Sequence, residues 1–274
     1  MPDLNDITCV VQSVEEVCTK LTAFGVVRLP SFLSLQETGR IHQEAELATS
    51  ATANYRNPYG PCSRFSLEEL PAHLSRSRDL TNGAHLRRLP ACFQLTRKVI
   101  GSQLFRKITQ SYFGPHSGFM EVIAFTKDCY PDSDAVYGHM HFDRRHQLKF
   151  ILYLNDVDES NGPFGCIPGS HQLGQTMFRD AWRKVLGLTG MDDIEVDRIA
   201  ATVPEDQAEY LTLPCVSNHS GTLESPTMGR ENLLVVGNAG TLVVFDSHIF
   251  HHGGLVKPPS ERWTLKGHTF AIVN

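Results

Sequence analysis

The sequence predicts a mainly β protein with flanking helices and a double-stranded β-helix (jelly-roll) core. After Gly114 the chain consists of short β-branched or aromatic segments, separated by Gly, Pro, Asn and Asp. Strands that follow one another without intervening helices favour an antiparallel sandwich or jelly roll over a βαβ fold. The N-terminal part instead shows helical periodicity and helix-capping signals, which predict the flanking helices.

The helices are predicted in three stretches. A short amphipathic helix lies over "SVEEVCTKLTAFG" and ends at Gly25, and "VVRLPSF" follows it as a strand. Ser34 and Glu37 form the S-x-x-E pattern of a capping box and open a second helix, which runs to about Leu47. The stretch "ACFQLTRKVIGSQLFRKITQSYFG" has a helical period and is predicted in two pieces around Gly101.

The strands are predicted in five segments: "GFMEVIAFTK", "HQLKFILYLND", "LLVV", "TLVVFDSHIFHH" and "RWTLKGHTFAIVN". Residues 50–90 are mixed in composition, and Pro58, Gly60 and Pro61 mark an irregular loop within them. The segment 172–230 interrupts the strands, and its polar, turn-rich composition and its length are typical of a functional insertion or lid. No repeat or linker divides the chain, so we expect a single domain over residues 1–274.

Composition excludes several classes of protein. The formal net charge is −5 and no basic run occurs, which argues against a nucleic-acid partner. The N-terminus lacks a long apolar run, so neither a secretory signal nor a membrane anchor is expected. Seven cysteines without a C-x-x-C pair argue against a disulfide scaffold and predict a cytoplasmic location. The sequence leaves the oligomeric state open.

The stretch "GHMHFDRRH" concentrates metal-ligand side chains on one predicted strand. Side chains alternate between the faces of a strand, so His139, His141 and Asp143 project to the same side. An H-x-D pair can hold one metal ion if a third ligand comes from elsewhere. The later stretch "FDSHIFHHGG" offers three candidates: His248, His251 and His252. Two histidines and one carboxylate form the facial triad that is diagnostic of non-haem Fe(II) oxygenases.

Three further polar residues lie on neighbouring predicted strands. Arg262 can hold a carboxylate in a bidentate fork, as a 2-oxo acid cosubstrate requires. Lys149 has the inward parity of Asp143, and an inward lysine needs a partner, such as a cosubstrate carboxylate. The alternative for Lys149 is an exposed edge-strand position. Thr264 shares the face of Arg262 and either donates a hydrogen bond to the same carboxylate or is an ordinary strand threonine.

Three motifs resemble those of the phytanoyl-CoA dioxygenase (PhyH) family of Fe(II)/2-oxoglutarate-dependent oxygenases. They are "HMHFD", "ILYLNDVDESNGPFGCIPGSH" and "AGTLVVFDSHIFHHGG", and "GVVRLPSFLSLQE" resembles the N-terminal strand and helix of the family. The resemblance implies Fe(II), 2-oxoglutarate and O2 as cofactor and cosubstrates. It places the Fe(II) ligands at His141, Asp143 and His251. It also makes Arg262 the 2-oxoglutarate arginine. The family often has glycine where this chain has His252, yet the placement of Arg262 favours His251 as the ligand.

The resemblance also implies a reaction. We expect hydroxylation, or another oxidation, of a C–H bond in a small molecule, such as a secondary-metabolite intermediate. Asp143 favours hydroxylation, desaturation or ring chemistry over halogenation, because related halogenases have a small residue in its place. His139 and Arg145 are candidates for substrate contact, and surface positions are the alternative for both. Two other classes stay open: a zinc hydrolase that uses the same ligands, and a non-catalytic jelly-roll binding protein.

Overall fold

The computed structural model of the protein describes residues 2–10, 13–52, 75–80, 83–87, 93–115, 117–128, 140–143, 146–202 and 231–271. Its helices are α1 (Val14–Phe24), α2 (Leu35–Thr52), α3 (Gln94–Ile100), α4 (Gln103–Phe113), α5 (His171–Leu186) and α6 (Asp193–Thr202). Its strands are β1 (Val26–Leu29), β2 (Ser75–Leu80), β3 (Gly83–Arg87), β4 (Ser117–Asp128), β5 (Gln147–Tyr153), β6 (Phe164–Cys166), β7 (Leu233–Val235), β8 (Leu242–Asp246), β9 (His251–Gly253) and β10 (Arg262–Ala271). No helix within these ranges has both the length and the apolar character of a membrane span.

The N-terminal helices begin and end at the predicted signals. Gly25 ends α1 in a left-handed conformation (φ 73°), and its N–H donates to a carbonyl of the last helical turn at 2.8 Å. At the start of α2, the Glu37 N–H donates to Ser34 Oγ at 3.2 Å and the Ser34 N–H donates to Glu37 Oε2 at 3.1 Å. This reciprocal pair is the predicted capping box. The helix α2 extends beyond the predicted end at Leu47, and Gly101 separates α3 from α4 as predicted.

Two antiparallel sheets form the β-rich part of the molecule. The larger sheet has the strand order β1-β8-β5-β10-β4-β3-β2, and the smaller has the order β7-β6-β9. The backbone of His141 extends the smaller sheet, because it exchanges hydrogen bonds of 2.9 and 2.8 Å with His251 of β9. The prediction of a mainly β fold with flanking helices is confirmed, and the paired antiparallel sheets agree with a jelly roll.

The two faces of the larger sheet pack against different layers. Along β10, Trp263 and Leu265 belong to the apolar cluster beneath α1 to α4, so they lie on the outer face. Arg262 and Thr264 alternate with them and therefore face the smaller sheet. Tyr153 of β5 joins the two sheets, because its hydroxyl donates to the carbonyl of Val235 at 2.7 Å and accepts the Phe164 N–H at 3.2 Å. The inner face thus carries polar side chains on β10, whereas Val26, Val243 and Phe245 of β1 and β8 form an apolar cluster with the smaller sheet.

One element was not predicted from the sequence, and one segment was predicted wrongly. The irregular loop predicted around residues 58–61 lies outside the described residues, and the hairpin of β2 and β3 was not predicted. Their polar sequence, "SRSRDL", lacks the β-branched residues that would have predicted a strand. The first part of the segment 172–230 is not turn-rich, since it forms most of α5 and all of α6. Phe178 and Trp182 of α5 are buried in an apolar cluster that also includes Phe250. Residues 203–230 lie outside the described ranges.

Candidate active site

His141, Asp143 and His251 come together beside the smaller sheet. The backbone hydrogen bonds between His141 and His251 hold the two ring centroids 4.4 Å apart. The Asp143 N–H donates to the carbonyl of Ser247 at 2.9 Å. This hydrogen bond fixes Asp143 relative to the segment that carries His251. One potential ligand atom from each residue lies within 4.8 Å of the other two. After small side-chain movements, a single ion can contact both imidazoles and the carboxylate.

The His251 ring has the orientation and charge state of a metal ligand. Its Nδ1 lies 2.8 Å from the carbonyl of Ile249, and a carbonyl only accepts, so Nδ1 carries the proton. The lone pair of Nε2 then faces Asp143, whose Oδ2 lies 3.8 Å away. The ring contacts those of Phe164 and Phe245, and its burial lowers the pKa of His251 to about 3. The neutral imidazole that results is the form that binds metals.

Asp143 offers an ionised oxygen to a cation. Its Oδ2 forms an ion pair of 2.6 Å with Nζ of Lys149, on β5. Burial alone would raise the pKa of Asp143, but the Lys149 ammonium holds that pKa below its usual range. The oxygen that faces His251 is the one that contacts Lys149. A positive charge therefore already lies against the proposed metal-facing oxygen, and this donor set fits a divalent cation.

The adjacent His252 points to a different environment. Its Nε2 lies 2.9 Å from the side-chain amide nitrogen of Asn232. Its ring also covers the backbone of Gly165 on β6, where an added Cβ would collide with the imidazole. Neighbouring residues of a strand face opposite sides, and here the side with Asp143 belongs to His251. The geometry therefore groups His251, and not His252, with His141 and Asp143.

A second His/Asp group contains the other histidine candidate, His248, with His146 and Asp246. The rings of His146 and His248 are nearly parallel, with an angle of 18° and a centroid distance of 4.4 Å. Parallel rings at this spacing cannot both aim an in-plane lone pair at one ion. Asp246 Oδ2 instead pairs with His146 Nε2 and accepts the Tyr112 hydroxyl, both at 2.7 Å. This group fits a hydrogen-bonded link between α4 and β8 better than a metal site.

Arg262 is buried but already has a carboxylate partner. Its Nε and Nη2 both donate to Oδ2 of Asp128 on β4, at 3.1 and 2.8 Å. Thr264 is also buried, and its hydroxyl oxygen has no hydrogen-bond partner among the described residues. The sequence reasoning missed Asp128. Asp128 directly follows the predicted strand "GFMEVIAFTK" and would share a face with Thr126 if the strand were extended by one residue, but its pairing with Arg262 depends on register. The remaining candidates, His139 and Arg145, lie outside the described residues.

Two antiparallel sheets with two imidazoles and one carboxylate converging beside them define the class of non-haem Fe(II) oxygenases. The chain belongs to the phytanoyl-CoA dioxygenase (PhyH) family, whose model matches residues 21–262. It is therefore a non-haem Fe(II)- and 2-oxoglutarate-dependent dioxygenase, which confirms the predicted enzyme class and cofactors. No curated protein sequence matches the chain.

Solved structures with similar folds carry related descriptions. The epimerase SnoN, solved with Fe3+, alpha ketoglutarate and nogalamycin RO, is 13% identical, with a TM-score of 0.57 over 94% of this chain and 83% of its own. The carbocyclase SnoK from nogalamycin biosynthesis is 13% identical, with a TM-score of 0.56 and the same coverage. EctD from S. alaskensis, solved with bound Fe, is 12% identical, with a TM-score of 0.56 over 98% of this chain and 83% of its own. At these identities the likeness supports the fold.

Proposed function

We propose that His141, Asp143 and His251 bind the Fe(II) of an oxygenase that oxidises a C–H bond in a small natural-product intermediate. The observation that carries this proposal is the convergence of three ligand atoms within 4.8 Å, with a neutral imidazole and an ionised carboxylate among them. Bound Fe(II) supplies O2 activation, coupled to the oxidation of 2-oxoglutarate to succinate and CO2. The carboxylate at Asp143 favours hydroxylation, desaturation or ring chemistry over halogenation, and the epimerase and carbocyclase descriptions of SnoN and SnoK add support for outcomes other than hydroxylation.

The protein's own groups divide the remaining work. Arg262 and Thr264 hold the distal carboxylate of 2-oxoglutarate, because they share the inner face of β10. Lys149 neutralises Asp143 in the metal-free protein. If Asp143 served as an Fe(II) ligand, the Lys149 ammonium would be available to contact a carboxylate of the cosubstrate. The rings of Phe164 and Phe245 keep water from one side of His251.

We place the substrate pocket between the metal ligands and the segment 172–230. The chain forms one domain, residues 1–274, in which the segment 172–230 acts as a lid. The packing of Phe178 and Trp182 against Phe250, one residue before His251, supports this role, because it ties the segment to the metal ligand. His139 and Arg145 contact the substrate. The free thiols at Cys9, Cys18 and Cys166 support a cytoplasmic location.

Anaerobic addition of Fe(II) and then 2-oxoglutarate tests the proposal. We expect a weak visible charge-transfer band that requires both additions, and succinate release that requires O2. A zinc hydrolase or a non-catalytic binding protein would give neither signal. The matched variants His251→Ala and His252→Ala test the ligand assignment, because only the first should abolish the band. Loss of the band in His252→Ala alone would contradict the proposed ligands.

A further inference from the structure

A second buried threonine lies directly opposite Thr264. Register pairs Thr264 of β10 with Thr126 of β4, and the next pair along the two strands is Arg262 with Asp128. Directly opposed side chains in an antiparallel pair have Cβ atoms about 5 Å apart. Thr126 and Thr264 are 3% and 1% exposed, and within the described ranges neither hydroxyl oxygen has a hydrogen-bond partner. Two buried hydroxyls thus lie side by side without an acceptor among the described residues.

Both hydroxyls face the layer that holds Arg262. Thr264 pairs on its other side with Tyr153, whose side chain crosses to the smaller sheet. The four residues Arg262, Asp128, Thr264 and Thr126 therefore form one inward-facing block of two neighbouring strands. A buried hydroxyl without an acceptor costs free energy unless a ligand or water satisfies it. A carboxylate, with two oxygens and several lone pairs, can accept from both threonines and from a guanidinium.

Asp128 decides which edge of the guanidinium remains for such a ligand. It accepts from Nε and Nη2 through a single oxygen, at 3.1 and 2.8 Å. That contact occupies the Nε/Nη2 edge of Arg262 and leaves Nη1 and the outer side of Nη2 for another carboxylate. Because both partners are almost fully buried, the guanidinium is held in one orientation.

We propose that β4 supplies the second half of the cosubstrate carboxylate site: Thr126 donates a hydrogen bond to the distal carboxylate of 2-oxoglutarate, and Asp128 is a positioning residue that orients Arg262 towards it. This inference rests on the proposed function, since it takes 2-oxoglutarate as the cosubstrate. It adds two residues on a strand that carries none of the sequence-predicted site. If this proposal holds, the distance from the metal ligands to β4 and β10 determines which chain length of 2-oxo acid the protein binds.

The variant Thr126→Val removes the hydroxyl at nearly constant shape. Anaerobic titration of the Fe(II) protein, followed by the charge-transfer band, gives the dissociation constant of 2-oxoglutarate without turnover. We expect Thr126→Val to raise that constant about ten- to hundredfold, the loss of one hydrogen bond to a charged group. The matched control is Thr269→Val. Thr269 is equally buried and also lacks a hydroxyl partner among the described residues, but it lies on the opposite face of β10, so its change should be within about twofold.

A second ligand separates a site effect from a folding effect. 2-Oxobutyrate keeps the chelating end of 2-oxoglutarate but has no distal carboxylate. We expect Thr126→Val to bind 2-oxobutyrate as the unchanged protein does. Unchanged 2-oxoglutarate binding in Thr126→Val, or an equal loss for both acids, would overturn the role of Thr126. If the unchanged protein gives no charge-transfer band with 2-oxoglutarate, both the proposed function and this inference are wrong. If the unchanged protein gives the band and Thr126→Val binds 2-oxoglutarate equally well, only this inference is wrong.

Asp128→Asn tests the positioning role through a ratio of affinities. The substitution removes a negative charge next to Arg262, which strengthens the attraction for any distal carboxylate, so a single affinity is ambiguous. 2-Oxoglutarate and 2-oxoadipate both carry that carboxylate but differ by one methylene. We expect Asp128→Asn to lose much of the preference for 2-oxoglutarate over 2-oxoadipate. Without Asp128 to fix it, the Arg262 guanidinium can shift to meet the distal carboxylate of the longer acid. An unchanged ratio would show that Asp128 does not position Arg262.

Discussion

Asp128→Ala should strongly destabilise the metal-free protein, because it leaves the Arg262 guanidinium buried without its carboxylate. The two side chains are 5% and 6% exposed, and Nη2 lies 2.8 Å from Oδ2. Removing one partner of a buried ion pair costs about 3–5 kcal/mol. In a domain of this size 1 kcal/mol shifts the melting temperature by about 2–4 °C, so we expect a decrease of about 6–20 °C.

The adjacent ion pair between Lys127 of β4 and Glu261, which directly precedes β10, is the control. Lys127 Nζ lies 2.8 Å from Glu261 Oε2, but these side chains are 30% and 44% exposed. Exposed pairs contribute about 0–1 kcal/mol, so Lys127→Ala should lower the melting temperature by no more than about 4 °C. The two variants compare ion pairs of equal length that differ in burial, and Lys127→Ala also removes a contact between the ammonium and the Trp263 ring, 4.9 Å from the ring centroid.

Thermal and urea unfolding of the metal-free variants measure both effects. The double variant Asp128→Ala/Arg262→Met should be more stable than Asp128→Ala, because it leaves no buried charge unpaired. The reasoning is refuted if Asp128→Ala and Lys127→Ala lose the same stability, or if removing Arg262 recovers none of the loss.

Three further predictions concern the site. Arg262→Ala should raise the apparent KM for 2-oxoglutarate about a hundredfold, because charge-assisted hydrogen bonds to a carboxylate are lost. Succinate release measures this KM, and an unchanged value would show that Arg262 is not part of the cosubstrate site. Lys149→Met should strengthen Fe(II) binding in the absence of cosubstrate, since no ion pair with Asp143 has to be broken. Competition with a chelator measures the Fe(II) affinity. An equal or weaker affinity in the variant would show that the Lys149 ammonium does not compete with Fe(II) for Asp143. Proteolytic cleavage within 172–230 should slow when Fe(II), 2-oxoglutarate and substrate are added together without O2, and equal rates with and without them would argue against a lid.

Local signals predicted the helices and part of the site. The capping box at Ser34 and Glu37 and the glycine stop at Gly25 act within a few residues, so their consequences can be read from the sequence. The grouping of His141 with Asp143 was predicted from alternation along a strand. The two side chains do come together, but residues 140–143 form only an isolated β-bridge at His141 and not the predicted strand. These features need no knowledge of which strands are neighbours.

Pairings between distant segments could not be predicted in this way. Asp128 and Arg262 are 134 residues apart, and only the register of β4 against β10 places them together. A shift of one residue would turn Thr126 and Asp128 to the outer face. The hairpin of β2 and β3 was missed for another reason: its polar residues give no apolar alternation, and its strand character comes from pairing with β4.

The backbone pairing of His141 with His251 has a consequence for how the enzyme acquires iron. Main-chain hydrogen bonds, and not the metal, bring these two distant parts of the chain into register. Small zinc domains differ, because there the ion itself drives folding and a chelator denatures the protein. In this protein a chelator should strip the iron and leave the sheets intact, so that the emptied enzyme can be reloaded. In a cell short of iron, the protein would then remain folded but inactive, and it would regain activity when iron became available.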